Sequence, residues 1–237
     1  MAEINQYGQA VGDALPEWRG AGALARTVLQ GRWCRLEPLE VDRHAGDLYA
    51  ALAQAPDDRD WTWLASERPM SPEAAISWLS AKAHDDSLIP WAVVDDRTGR
   101  AVGLVCYMAI EREHGRVEIG HVTWSPQMKN SVLGTEAIWL LLRSAFDHGY
   151  RRVEWKCDSL NAASRRAAER LGFVFEGRFR QHMVRNGRSR DSDWLSIIDR
   201  EWPACDAALR RWLAPENFDS DGRQLTRLAA LRTTARP

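Results

Sequence analysis

Residues 118–173 read EIGHVTWSPQMKNSVLGTEAIWLLLRSAFDHGYRRVEWKCDSLNAASRRAAERLGF, and this stretch decides the fold. Up to Trp124 it is rich in β-branched and aromatic residues, the composition of a strand. A loop, SPQMKNSVLG (125–134), follows. Ala137, Ile138, Leu141, Leu142 and Ala145 then recur at helical spacing, so a helix is predicted over 134–148, stopped by Gly149. RRVEWKCD (151–158) is a second strand. Asn161 favours a helix N-cap and Gly172 a helix end, which places a second helix over 161–171. Strand, loop, helix, strand and helix in that order require a sheet with helices packed on it.

Upstream, IPWAVVDD (89–96), AVGLVCYMAIE (101–111) and RVEIGHVTW (116–124) are joined by short turns at 96–99 and 112–115, which makes an antiparallel meander. Ser71, Pro72 and Glu73 are an N-cap, a first-turn proline and a first-turn acid, so a helix is expected over 72–83. Leu48, Ala51 and Leu52 mark another helix over 42–54. Residues 27–39 read as a strand or hairpin, and 55–70 as a loop carrying Trp61 and Trp63. Downstream, 173–199 divides into two strands at an Asn186-Gly187 turn, and a helix is expected over 202–213. The division is an N-terminal arm (1–26), one domain (27–213) and a polar tail (214–237). Its class is α/β or α+β, with a mixed, mainly antiparallel sheet of about seven strands flanked by helices.

The 237 residues carry 32 basic and 33 acidic groups, a formal net charge of −1, which argues against a general nucleic-acid binder. No apolar run approaches the roughly 18 residues of a membrane span, and residues 1–12 lack a basic-then-apolar signal pattern. A cytoplasmic protein without membrane or nucleic-acid partners is expected. Four cysteines without CxxC spacing are read as reduced thiols, and the scattered histidines give no metal site.

A helix N-terminus presents unpaired N–H groups and partial positive charge, so the loop entering the 134–148 helix can receive a diphosphate. Every strand–loop–helix offers that much. The sequence DSLNAASRRAAERLGF (158–173) adds more. Together with VEIGHVTWSP (117–126) and LGTEA (133–137), it resembles the cofactor site of the GCN5-related N-acetyltransferase (GNAT) family, and is similar to its RimJ/RimL-like branch. The resemblance covers about a quarter of the chain. It implies acyl-CoA, in the first place acetyl-CoA, bound where two strands splay apart. The backbone of Val122, Thr123 and Trp124 would pair with the pantetheine amides. Lys129, Asn130, Ser131, Val132, Leu133, Gly134 and the N–H of Thr135 would cradle the diphosphate. Asn161 would hydrogen-bond the pantetheine arm, and Ser164 would point at the thioester sulfur. Two positions depart from the family pattern. Val132 stands where a glycine is usual, which disfavours positive φ there. Ala168 stands where many relatives carry a tyrosine acid, leaving Ser164 as the substitute.

The implied reaction is direct attack of a neutral amine on the thioester, which needs a base. Glu118 is the first candidate and His121 the second, its ordinary pKa near 6.5 suiting the task. Three apart on a regular strand, they face opposite sides, so only one meets the site. The acceptor is expected to be a protein N-terminus or a small amine, bound by 55–70 and the arginine-rich turn at 181–190. Succinyl-CoA as donor, or a non-catalytic CoA-binding module, are the alternatives; a homodimer is the expectation by analogy. Each residue also has a plainer role. Asn161 caps a helix, Glu118 pairs with an arginine on the sheet, Ser164 is a first-turn residue, and Lys129 and the turn arginines are solvated.

Overall fold

The computed structural model describes residues 3–232. In the arm, β1 (Glu3–Ile4) and β2 (Ala10–Val11) form a two-stranded hairpin. The arm joins the domain at Trp18, whose Nε1 donates to the Glu113 carbonyl at 2.8 Å while its ring packs under the Arg151 guanidinium.

The central sheet has eight strands, because residues 27–39 supply a true hairpin, β3 (Leu29–Gln30) and β4 (Cys34–Pro38). β5 (Ile89–Asp95), β6 (Arg100–Glu111) and β7 (Arg116–Trp124) are the meander. β8 (Arg152–Asp158) follows, then β9 (Val174–Arg185) and β10 (Arg188–Ile198). The order is β3-β4-β5-β6-β7-β8-β10-β9, and every adjacent pair is antiparallel except β7 and β8. Asn186 and Gly187, at φ 50° and 70°, make the two-residue turn that such hairpins favour.

Helices α1 (Val41–Leu52) and α2 (Pro72–Ala83) cover one face of the sheet, burying Leu48 and Leu79 against Ala92, Leu104 and Cys106. The other face carries α3 (Val132–Asp147), α4 (Ala162–Leu171) and α5 (Trp202–Leu213). The Ala137–Ile138–Leu141–Leu142–Ala145 stripe of α3 is fully buried on the sheet. Its opposite side is covered by α5, with Trp139 Nε1 donating to Asp206 at 2.8 Å, so α3 is buried nearly all round. All four cysteines are free and buried. Beyond Leu213 the chain turns back along α5: Trp212 donates to Gln224 at 2.8 Å, and a short α6 (Leu228–Leu231) buries Leu228. No described helix is long and apolar enough to cross a membrane.

Glu136 locks α3 to the sheet edge. Its carboxylate, in a residue only 2% exposed, accepts the backbone N–H groups of Arg32, Trp33 and Cys34 at 2.9, 2.7 and 2.7 Å. Gly31 allows this approach, since a Cβ there would lie 2.7 Å from the carboxylate.

Candidate active site

β7 and β8 pair for three residues only, Arg116↔Arg152, Val117↔Val153 and Glu118↔Glu154. Residues 119–124 and 155–158 then diverge, leaving a gap in the middle of the sheet. The cause lies in β7. Its register with β6 jumps from Gly120↔Cys106 to Thr123↔Leu104, so residues 121 and 122 together oppose Val105. His121 takes φ 51° to make this bulge. A bulge bends its strand and increases the local twist, which carries the end of β7 away from β8.

The bulge also corrects an expectation. Glu118 lies opposite Met108, which packs on the α1–α2 side, and His121 Nδ1 lies 3.0 Å from Lys82 Nζ on α2. The extra residue breaks the two-residue alternation, so Glu118 and His121 face the same side of the sheet rather than opposite sides.

On that face, Lys156 of β8 binds Glu118 Oε2 at 2.8 Å and Glu154 at 3.1 Å. Glu118 Oε1 makes no hydrogen bond among the described residues. Burial raises the Glu118 pKa, with Lys156 opposing the shift. Burial lowers that of His121 to about 4, and the nearby Lys82 and Arg185 push it the same way. His121 is thus neutral at physiological pH, and its Nδ1 is the acceptor for the Lys82 ammonium. Trp194 of β10 lies under Lys156, 4.7 Å from Nζ, and stacks on Phe179 of β9 at 4.0 Å. The loop between α1 and α2 meets β9 above this floor, where Arg185 reaches the Trp63 carbonyl at 3.4 Å.

The opposite side of the gap belongs to α3 and α4. α3 starts at Val132, two residues before the predicted Gly134. The first turn therefore leaves the N–H groups of Val132, Leu133 and Gly134 without intrahelical partners. Thr135 falls after that turn; its N–H closes the first helical bond, and its hydroxyl accepts from Arg170 at 2.9 Å. The left-handed residue of the loop is Asn130, φ 55°, so Val132 occupies an ordinary helical position where a side chain is tolerated. Gly134 is closely approached: a Cβ would lie 3.3 Å from Trp124 Nε1. Ser131 Oγ bonds the Met128 carbonyl at 2.9 Å, and Lys129 is ion-paired with Asp60 of the α1–α2 loop. A cavity of about 150 Å³ lies between Asp60, Trp61 and Leu64 on one side and Val122, Thr123 and Trp124 on the other.

Asn161 caps α4, its Oδ1 accepting the Ser164 N–H at 3.0 Å; among the described residues its side-chain amide has no acceptor. Trp155 Nε1 donates to Ser164 Oγ at 3.0 Å, which leaves the hydroxyl proton free to point elsewhere. The gap, the three free N–H groups and the close glycine suit a diphosphate with a narrow tail passing between β7 and β8.

A model of the acetyltransferase (GNAT) domain matches residues 34–174, more than half of the chain. The chain belongs to the GNAT family. It is 42% identical to a GCN5-related N-acetyltransferase of Brucella melitensis, whose crystal structure aligns over 92% of this chain and 99% of that one with a TM-score of 0.90. A probable acetyltransferase of the same family from Chromobacterium violaceum is 38% identical, covering 82% and 98% with a TM-score of 0.76. The uncharacterized N-acetyltransferase YoaA of Bacillus subtilis is 28% identical over 162 residues, 67% of this chain and 89% of YoaA. The GNAT fold and acyl-CoA-dependent acetyltransferase activity follow for this chain.

This GNAT site contains groups that sequence reasoning missed. Lys156 and Trp194 were unremarkable in sequence; period-two alternation on β8 and β10 could have placed Lys156 beside Glu154 and opposite Trp194. Trp155, the partner of Ser164, had no local signal. Lys82 lies far from His121 in sequence and meets it only because the fold brings the end of α2 within reach of β7.

Proposed function

We propose that this GNAT chain passes an acetyl group from acetyl-CoA directly to a primary amine, either a protein N-terminus or a small amine. The Asn161–Ser164 pattern supports kinship with the RimJ/RimL-like branch. One observation carries the reading: the sheet opens immediately beyond Glu118, with free helical N–H groups on one side of the gap and a buried carboxylate on the other.

Acetyl-CoA supplies an activated thioester carbonyl. The N–H groups of Val132, Leu133 and Gly134 hold its diphosphate by charge and hydrogen bonding. The backbone of Val122, Thr123 and Trp124 borders the gap and pairs with the pantetheine arm, and the Asn161 amide donates to it. Glu118 Oε1 takes the proton of the incoming amine. Its raised pKa makes it a stronger base than a solvated glutamate, and Lys156 fixes its other oxygen. His121 is a positioning residue: with Nδ1 occupied by Lys82, its Nε2–H points a donor towards the acceptor. Ser164, oriented by Trp155, donates its hydroxyl proton towards the departing sulfur.

Thiol release from acetyl-CoA with a panel of amines and N-terminal peptides tests this, with succinyl-CoA run in parallel. Turnover with acetyl-CoA that collapses in Glu118→Gln supports the proposal. Tight acetyl-CoA binding with no turnover on any amine contradicts it.

A further inference from the structure

Three cations converge on the acceptor face without a carboxylate of their own. Arg190 is only 9% exposed, on β10, and bonds Ser192 Oγ through Nε at 3.0 Å. Arg185, half-buried at the end of β9, reaches only the Trp63 carbonyl. Lys82 on α2 reaches His121 Nδ1. Among the described residues, none of the three has an acidic oxygen within 4.0 Å. Most other buried or half-buried cations of this protein have one. Lys156 binds Glu118, Arg35 binds Glu37, and Arg152 binds Glu154.

The hairpin register, Arg190↔Met183 and Arg188↔Arg185, puts Arg190 and Arg185 on one face two positions apart, and Lys82 and Arg185 both act on His121. Ser192 Oγ, which accepts from Arg190, is also 2.9 Å from His182 Nδ1, and His182 packs edge-on to Trp194 at 4.9 Å. A double displacement of register in β9, from Arg190↔Met183 to Ser192↔Phe179, turns His182 and Phe179 over this floor. Burial lowers the Arg185 pKa, Arg190 disfavours its charge further, and burial disfavours the charge of Lys82. The His182 pKa falls through burial and then through Arg190 and Lys156. The carboxylates that act on the cluster are Asp85 from the α2–β5 turn, Asp158 from the end of β8, and Glu118. Glu118 is already held by Lys156. Holding like charges together in a partly desolvated site is costly unless an anion joins them.

We infer that the acceptor carries an oxyanion, carboxylate or phosphoryl, besides its reactive amine, and that Arg190, Arg185 and Lys82 bind it. The amine then lies towards Glu118 and the anion towards the β9–β10 hairpin. Arginine suits this because its planar fork pairs with two oxygens at once. This assignment rests on the amine-transfer reading above and narrows its substrate class.

The test uses matched acceptors: β-alanine against its amide, and phosphoethanolamine against ethanolamine. The two pairs separate carboxylate from phosphoryl. For at least one pair, kcat/KM is expected to favour the charged member by about tenfold or more, and Arg185→Gln to remove most of that preference through KM. The KM for acetyl-CoA does not move. Arg190→Lys keeps the charge but loses the fork, giving a smaller loss and guarding against misfolding of Arg190→Gln. Equal kcat/KM within both pairs, or a preference that survives Arg185→Gln and Arg190→Lys, overturns the inference. If no amine reacts at all, the transfer reading fails, and histidine NMR decides this one separately. Inorganic phosphate or succinate that shifts His121 and His182 in the wild type but not in Arg185→Gln supports the anion site; no shift overturns it.

Discussion

Replacing Glu136 by alanine removes the shared acceptor of three backbone N–H groups. The Cys34 N–H is buried and has no water to turn to, so its loss costs about 2 kcal/mol. Trp33 is half-buried and adds about 1 kcal/mol, whereas exposed Arg32 is rehydrated at little cost. The negative charge one turn into α3 contributes a further ~0.5 kcal/mol. The sum is about 3.5 kcal/mol, a large part of an ordinary domain's 5–15 kcal/mol. Urea unfolding at equilibrium measures it, read as a lower midpoint at unchanged slope. Glu136→Gln keeps an oxygen with two lone pairs and is expected to lose about half as much. Amide exchange localises the effect, with protection falling at residues 33 and 34 first. A loss below about 1 kcal/mol for Glu136→Ala would show that the β3–β4 turn is held by packing instead, and the reasoning would be wrong.

Three further outcomes concern the site. Glu118→Gln should lower kcat by roughly 10²–10⁴-fold, and it should abolish the acid limb of the pH–rate profile. Because burial raises the Glu118 pKa, that limb lies above the ordinary glutamate range, and activity rises with pH through it; a limb surviving in the variant assigns the base elsewhere. His121 should titrate near pH 4 by NMR, not near 6.5, since burial, Lys82 and Arg185 all disfavour its charge; a midpoint at 6.5 refutes the Lys82 contact. Ser164→Ala should reduce kcat more than the affinity for acetyl-CoA, as expected for a donor needed only when the thiolate leaves; equal effects on both would make Ser164 a binding residue.

Much of this architecture was legible in residues 118–173. The α3 stripe, the Asn161 cap and the Gly172 stop are local signals, and α2 and α5 run where their proline, cap and apolar residues place them. The strand count fell short because a two-residue strand, β3, carries almost no pattern. The site was less legible. Its decisive feature is a bulge at His121, whose modest enrichment at positive φ is too weak to mark a bulge inside a strand pattern, so regular alternation misplaced His121 relative to Glu118. In the loop, Val132 avoids positive φ as its side chain requires and Asn130 takes the left-handed turn, but α3 begins at Val132, two residues before the expected Gly134, because that start is marked by no capping side chain. Glu136 with Arg32, Trp33 and Cys34, Lys82 with His121, and Lys129 with Asp60 are contacts across long stretches of chain, invisible to periodicity.

Amide chemical-shift mapping during titration with acetyl-CoA tests the central claim most directly. Saturable shifts are expected at Val132, Leu133 and Gly134, at residues 122–124, and at the Asn161 side-chain amide. Saturation that leaves the α3 amides unmoved while other surfaces respond, or no response to acetyl-CoA at any concentration, would contradict it.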